Sequence, residues 1–134
     1  MKRFEQYKRK LEILSRAGQE DLQNEFIIGG IIEKFSLQFE LGWKVLKELL
    51  RYEGSSIAVT GSPREILKAA YGIYDFMEED VWLSMLCKRN DMAHIYDGEA
   101  ARVMVDTILK VYIPAFIRLR DGIQKRYGDE LGAI

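Results

Sequence analysis

A single histidine occurs in the chain, and the residues around it have the types and spacing that suit chemistry. Lys88, Arg89, Asn90 and Asp91 precede His94, and Tyr96 and Asp97 follow it. Imidazole has an ordinary pKa of about 6.5, so it gives or takes a proton near neutral pH. Arginine keeps its charge and meets a phosphate or carboxylate with two parallel N–H bonds. On a helix Asn90 and His94 share a face, whereas Arg89 stands about 140° round from His94. Its long side chain still converges on the same pocket where the helix frays. The run reads as proton transfer beside a bound anion, with Lys88 and Asp97 as supports of the cleft. Plainer readings stand beside this one. A lone histidine at a helix end serves the C-terminal dipole, Arg89 pairs with Asp91, Asp97 or Glu79 on the surface, and Tyr96 closes the edge of the core.

Other chemistries have less to work with. Cys87 is the one cysteine, so neither an intramolecular disulfide nor a cysteine zinc cage can form. Lying between Leu86 and Lys88 in an apolar helical stretch, it reads as a small core residue. Gly61-Ser62 looks like the opening of a nucleotidyltransferase site, but no Asp-x-Asp pair follows to hold magnesium. The acidic run Glu78-Glu79-Asp80 has no partner histidines and fits the first turn of a helix. A P-loop is absent. No metal and no cofactor are expected.

The elements that must position the motif are helical throughout. Phe4, Tyr7, Leu11 and Leu14 form one stripe on a first helix, and Gly18 follows as a stop. A second helix runs from about Asp21 to Tyr52. Along it Ile28, Ile32, Phe35, Phe39, Gly42, Leu46 and Leu49 keep the alternating three-and-four step of bundle packing. Gly42 on that seam admits another backbone. Ile27, Ile31, Leu41 and Trp43 widen the stripe, so this helix meets several neighbours, a second subunit among them. After the connector Ile57-Ala58-Val59, Ser62 caps a short helix with Pro63 at its first position and Glu65 closing a capping box. A fourth helix covers about Glu79 to Ala93 with Trp82, Met85 and Leu86 inward. The last carries Val105, Leu109, Tyr112, Phe116, Leu119 and Ile123, with Pro114 inside it as a kink or a lost hydrogen bond. Trp43, Trp82, Met85 and Phe116 read as core. The expected fold is all-α: an up-and-down bundle of four to five helices, the last long and kinked near Pro114, in one domain over residues 1–134.

Composition agrees with a folded domain: 48% of residues are apolar and 31% charged. The 20 basic and 21 acidic side chains leave a formal charge of −1, which excludes a strongly cationic nucleic-acid coat but not a local basic patch. Lys8-Arg9-Lys10 is a solvated face that also suits RNA. The start of the chain has no apolar region of a signal peptide. The longest apolar run, Phe26 to Ile32, is too short to cross a bilayer. A cytoplasmic protein is expected.

Arg89, Asn90, His94 and Tyr96 make the pattern Arg-Asn-x-x-x-His-x-Tyr, which resembles the signature of HEPN domains. There an arginine, usually followed by a polar residue, precedes a histidine by a short spacer. The subgroup paired with minimal nucleotidyltransferases also places a tyrosine two residues after the histidine. Phe39-Glu40-Leu41-Gly42-Trp43-Lys44, Ser62-Pro63-Arg64 and the spacing from Trp82 to the motif resemble the same subgroup, so the likeness covers roughly residues 20 to 125. It implies a metal-independent endoribonuclease, the toxin of a toxin–antitoxin pair whose antitoxin is a minimal nucleotidyltransferase. RNA would be the substrate, with His94, Arg89 and Asn90 catalytic. A homodimer would pair two motifs, and Tyr96 would receive an adenylyl group (AMPylation) from the partner. Similar proteins have also been regarded as non-catalytic substrate- or nucleotide-binding subunits of a two-component nucleotidyltransferase, and that alternative stays open. A purely structural helical dimer explains the heptads but not the motif.

Overall fold

Apolar stripes become buried faces, and their packing builds an all-α, up-and-down bundle in a computed structural model that describes residues 1–92 and 98–134. In α1 (Lys2–Leu14) the stripe Phe4, Tyr7, Leu11 and Leu14 is buried as expected. A 3₁₀ turn, Ala17–Gln19, follows it. The long helix α2 (Glu25–Tyr52) starts later than the apolar pattern suggests. Asn24 is the residue whose side chain accepts from the free N–H groups of Phe26 and Ile27, at 2.8 and 3.3 Å. Asp21 instead turns the loop before it, accepting from the N–H of Gln23 at 3.0 Å.

Helix α2 is the axis of the bundle and packs on α1, α3 (Ile57–Thr60), α4 (Pro63–Ile73), α5 (Glu79–Asn90), α6 (Gly98–Thr107) and α7 (Ile113–Tyr127). Every seam residue from Ile28 to Leu49 is buried, together with Ile31, Val45, Leu50 and Gln38. Ile27, Leu41 and Trp43 are only half-buried. The stretch read as a connector is a single helical turn, α3, with Ala58 inside. The capping box at α4 is present: Glu65 N–H donates to Ser62 Oγ at 3.2 Å and Ser62 N–H to Glu65 Oε1 at 3.1 Å. That backbone bond holds the Glu65 carboxyl below its usual pKa.

The last helix differs from its expected register. Between α6 and α7 lies a π-helical turn, Ile108–Tyr112, closed by a bond from Ile113 N–H to Ile108 C=O. It falls just before Pro114, which has no N–H and whose ring crowds the carbonyl of Lys110; a wider turn relieves that clash. The extra residue moves the seam. Ile108 is buried where the heptads name Leu109, and Leu109 is half-buried. Taking α6, the π turn and α7 as one element gives five helices plus the turn α3 among the described residues, with a 3₁₀ segment at Gly128–Ala133.

Polar pins cross the apolar core. Tyr7 Oη donates to Phe116 C=O at 2.7 Å, and Gln38 Nε2 donates to Tyr7 C=O at 3.0 Å. Tyr74 and Tyr127 share a hydrogen bond of 2.6 Å between their hydroxyls, and Tyr127 also donates to Glu53 at 3.1 Å. Burial pushes both hydroxyls above the ordinary tyrosine pKa. Among the described residues no helix is long and apolar enough to cross a membrane.

Gly42 does not receive a backbone. A Cβ there would stand 2.8 and 3.0 Å from the Trp82 ring and 3.3 Å from the Tyr7 ring. Trp82 has no room to retreat, since it packs on Phe39 and Phe116 at ring separations of 6.0 and 5.5 Å. Alanine gains about 1 kcal/mol of helix propensity over glycine, but overpacking costs about 1–3 kcal/mol. Gly42→Ala is therefore expected to lower stability by about 1–2 kcal/mol in urea denaturation. A stabilised variant would mean that the indole slides aside.

Candidate functional site

Helix α5 carries the described part of the motif. Glu79 and Asp80 lie in its first turn and Lys88 and Arg89 in its last, each sign at the end of the dipole that favours it. Trp82, Met85 and Leu86 face inward as expected. The helix ends at Asn90, with the Asp91 N–H reaching back to the carbonyls of Cys87 and Lys88, both at 3.1 Å. His94, Tyr96 and Asp97, with Ala93 at the expected end of this helix, lie outside the described residues.

Arg89 is held by Glu40, an acid that its sequence neighbourhood does not suggest. Its Nε donates to Glu40 Oε1 at 2.5 Å, and its Nη2 pairs with the same oxygen. Nη1 donates to Asn90 Oδ1 at 2.9 Å, so the two catalytic candidates at the end of α5 are in direct contact. The guanidinium also lies over the Phe39 ring, 5.9 Å from its centre. Only 29% of the Arg89 side chain and 27% of Glu40 are exposed. Two guanidinium nitrogens converge on one carboxylate oxygen in a setting partly shielded from water, which makes this pair worth more than a fully exposed ion pair. Lys88, named as cleft support, is exposed beside it.

Glu40 is the residue the chemical reading missed. It lies on α2, and its second oxygen accepts from Trp43 Nε1 at 3.0 Å while Lys44 Nζ stands 3.9 Å away. One carboxylate therefore gathers an arginine, an indole and a lysine on one rim. Glu40, Trp43 and Lys44 belong to the Phe39–Lys44 stretch that carries part of the resemblance, and this was the signal that pointed to them. Trp43 is half-buried: it packs against the core and carries its indole N–H at the rim. Cys87 is exposed. It follows Leu86 by one helical step of about 100°, which turns it off the buried face.

The arrangement can hold an anion without metal: a pre-oriented guanidinium, a hydrogen-bonded amide, and a second cation on the neighbouring helix. A separate groove of about 400 Å³ lies between the first turns of α2 and α6, with Phe26, Gly29, Gly98 and Arg102 in its walls. Phe26 is 91% exposed beside it.

The family model described as nucleotidyltransferase substrate binding protein like matches residues 2–125. No curated protein matches the chain.

Proposed function

Because the chain belongs to this nucleotidyltransferase substrate binding protein-like family, we propose that it works beside a separate nucleotidyltransferase, as a HEPN-type toxin whose ribonuclease cleft that partner silences. The observation that carries the reading is Arg89, fixed by Glu40 and bonded to Asn90 at the end of α5. It stands where the motif asks for a phosphate-binding cation. Metal-free RNA cleavage needs a base for the 2′-hydroxyl proton and a positive charge for the phosphate. His94 takes the proton, Arg89 offsets the growing charge, and Asn90 orients one or the other; Lys88 and Asp97 support the cleft.

In an in-line displacement the attacking and leaving oxygens lie on opposite sides of the phosphorus, so one histidine does not serve both in the same step; the active unit is a symmetric homodimer that brings two motifs to one cleft. The exposed ring of Phe26 is apolar surface of the kind a second copy buries. Tyr96 is the point of regulation. The partner joins its hydroxyl oxygen to the α-phosphorus of ATP and releases pyrophosphate. The resulting adenylyl group fills the cleft and repels RNA. The protein acts in the cytoplasm, where its RNA is.

The family description favours a second reading, in which the same rim binds the acceptor or nucleotide for the partner enzyme and cuts nothing. RNA cleavage by the chain purified without its partner, in EDTA, separates the two. Cutting supports the toxin. A dimeric protein, unmodified by mass, that leaves RNA intact supports the binding subunit. Incubation with the cognate nucleotidyltransferase and ATP is expected to add one AMP to wild type and none to Tyr96→Phe, read by intact mass. Full modification of Tyr96→Phe would remove the assigned role of Tyr96.

A further inference from the structure

We infer that the rim around Glu40 is a binding site for one unpaired nucleotide, with Trp43 as the ring on which its base stacks and Arg89 as the cation for its phosphate. The inference rests on the reading above in taking a nucleotide, free or in RNA, as what meets Arg89. Glu40 splits its two oxygens between the two groups: Oε1 takes Arg89 Nε at 2.5 Å and Oε2 takes Trp43 Nε1 at 3.0 Å. The indole is thus locked at its polar edge, with its N–H already satisfied, and it is only half-buried. A tryptophan needed solely for packing resembles the other one in this chain, Trp82, which is 1% exposed.

Stacking on an aromatic face together with a cation at the backbone is how proteins take hold of single-stranded nucleotides. Both parts are here on opposite oxygens of one carboxylate. The charge balance also permits it. Glu40 brings one negative charge against Arg89 and Lys44, so the three together are net positive. Lys44 Nζ lies 5.9 Å from the centre of the Trp43 ring, and its side chain is 43% exposed. A flexible cation of this kind gives way to a base and follows its phosphate.

Intrinsic fluorescence tests the site, because the chain has two tryptophans and one is buried. The full-length His94→Ala protein, which does not consume its ligand, is titrated in EDTA with single-stranded oligoadenylate and separately with AMP. Binding is followed in parallel by anisotropy of a labelled oligonucleotide, with AMP as competitor. Saturable quenching is expected, and adding Trp43→Leu is expected to abolish it and weaken binding roughly tenfold or more. Trp43→Phe, which keeps a ring, is expected to stay within about threefold of its parent. Quenching by the oligonucleotide alone assigns the site to RNA; quenching by AMP as well assigns it to a free nucleotide. Flat fluorescence at saturation overturns the proposal even if the leucine variant fails to fold, as does a folded leucine variant that binds like its parent. Quenching in a protein that never cuts RNA keeps the site and removes the ribonuclease reading. Cutting by wild type with no change in the leucine variant does the reverse.

Discussion

His94→Ala is expected to cut RNA at least a hundredfold more slowly than wild type, within the roughly 10²–10⁴-fold that a positioned acid–base group contributes. Wild-type cleavage itself should be indifferent to EDTA. The size of the effect follows from scarcity. His94 is the only imidazole in the chain, so no neighbour can take over proton transfer, and in a symmetric dimer one substitution removes both copies at once. Arg89→Lys should not behave as a conservative change. Two nitrogens of the guanidinium, Nε and Nη2, meet Glu40 while a third meets Asn90. An ammonium is a point charge and cannot hold that fork. Initial rates on a labelled RNA, with circular dichroism to show that each variant is folded, measure both. Equal rates for wild type and His94→Ala would mean that any cutting comes from something other than this motif.

Trp82→Ala is expected to cost about 3–5 kcal/mol in urea denaturation, the range for truncating a buried aromatic. Trp82 is 1% exposed and joins three elements: its ring meets Phe39 of α2 and Phe116 of α7, and it lies against Gly42. The damage should also reach the chemistry. Phe39 is both a packing partner of Trp82 and the ring beneath the Arg89 guanidinium, and Glu40 is the next residue along. Arg89 itself lies about two turns farther along α5. A loss under about 1.5 kcal/mol would show that the core closes over the gap and that the indole is not the wedge between these helices.

Local signals in the chain were legible, and distant ones were not. The capping box at Ser62 and Glu65 is written within four residues, and the structure has it. The stripes of α1 and α2 predict their buried faces because period and burial share one cause. Three misreadings have physical reasons. Helix α2 starts at Glu25 behind the cap Asn24, not near Asp21, because hydropathy marks where apolar residues begin, not where N–H groups find acceptors. Trp43 and Cys87 read as core by residue type, yet their helical phase leaves Trp43 half-buried at the core's edge and Cys87 exposed. The pairing of Arg89 with Glu40 spans α5 and α2 and has no period to betray it; charge inspection near Arg89 offers Asp91, Asp97 and Glu79 instead. The Glu40 stretch was visible only through resemblance, which names residues without saying what they touch.

The π turn between α6 and α7 has a meaning in terms of chain length. A turn closed by a five-residue bond stores one residue more than an α turn. An extra residue in a straight helix would swing everything beyond it by about 100°. Stored here, it leaves Ala101, Met104 and Ile108 on one side and Tyr112, Phe116 and Leu119 on the other all facing the same core. The turn works as slack in a taut line. A deletion of one residue within it keeps both faces in place but returns the Pro114 ring to the carbonyl one turn back, whereas the same deletion early in α7 would carry the Phe116 carbonyl away from Tyr7 and Tyr127 away from Tyr74. Loss of a residue from this helix therefore disturbs the core least in the turn just before Pro114.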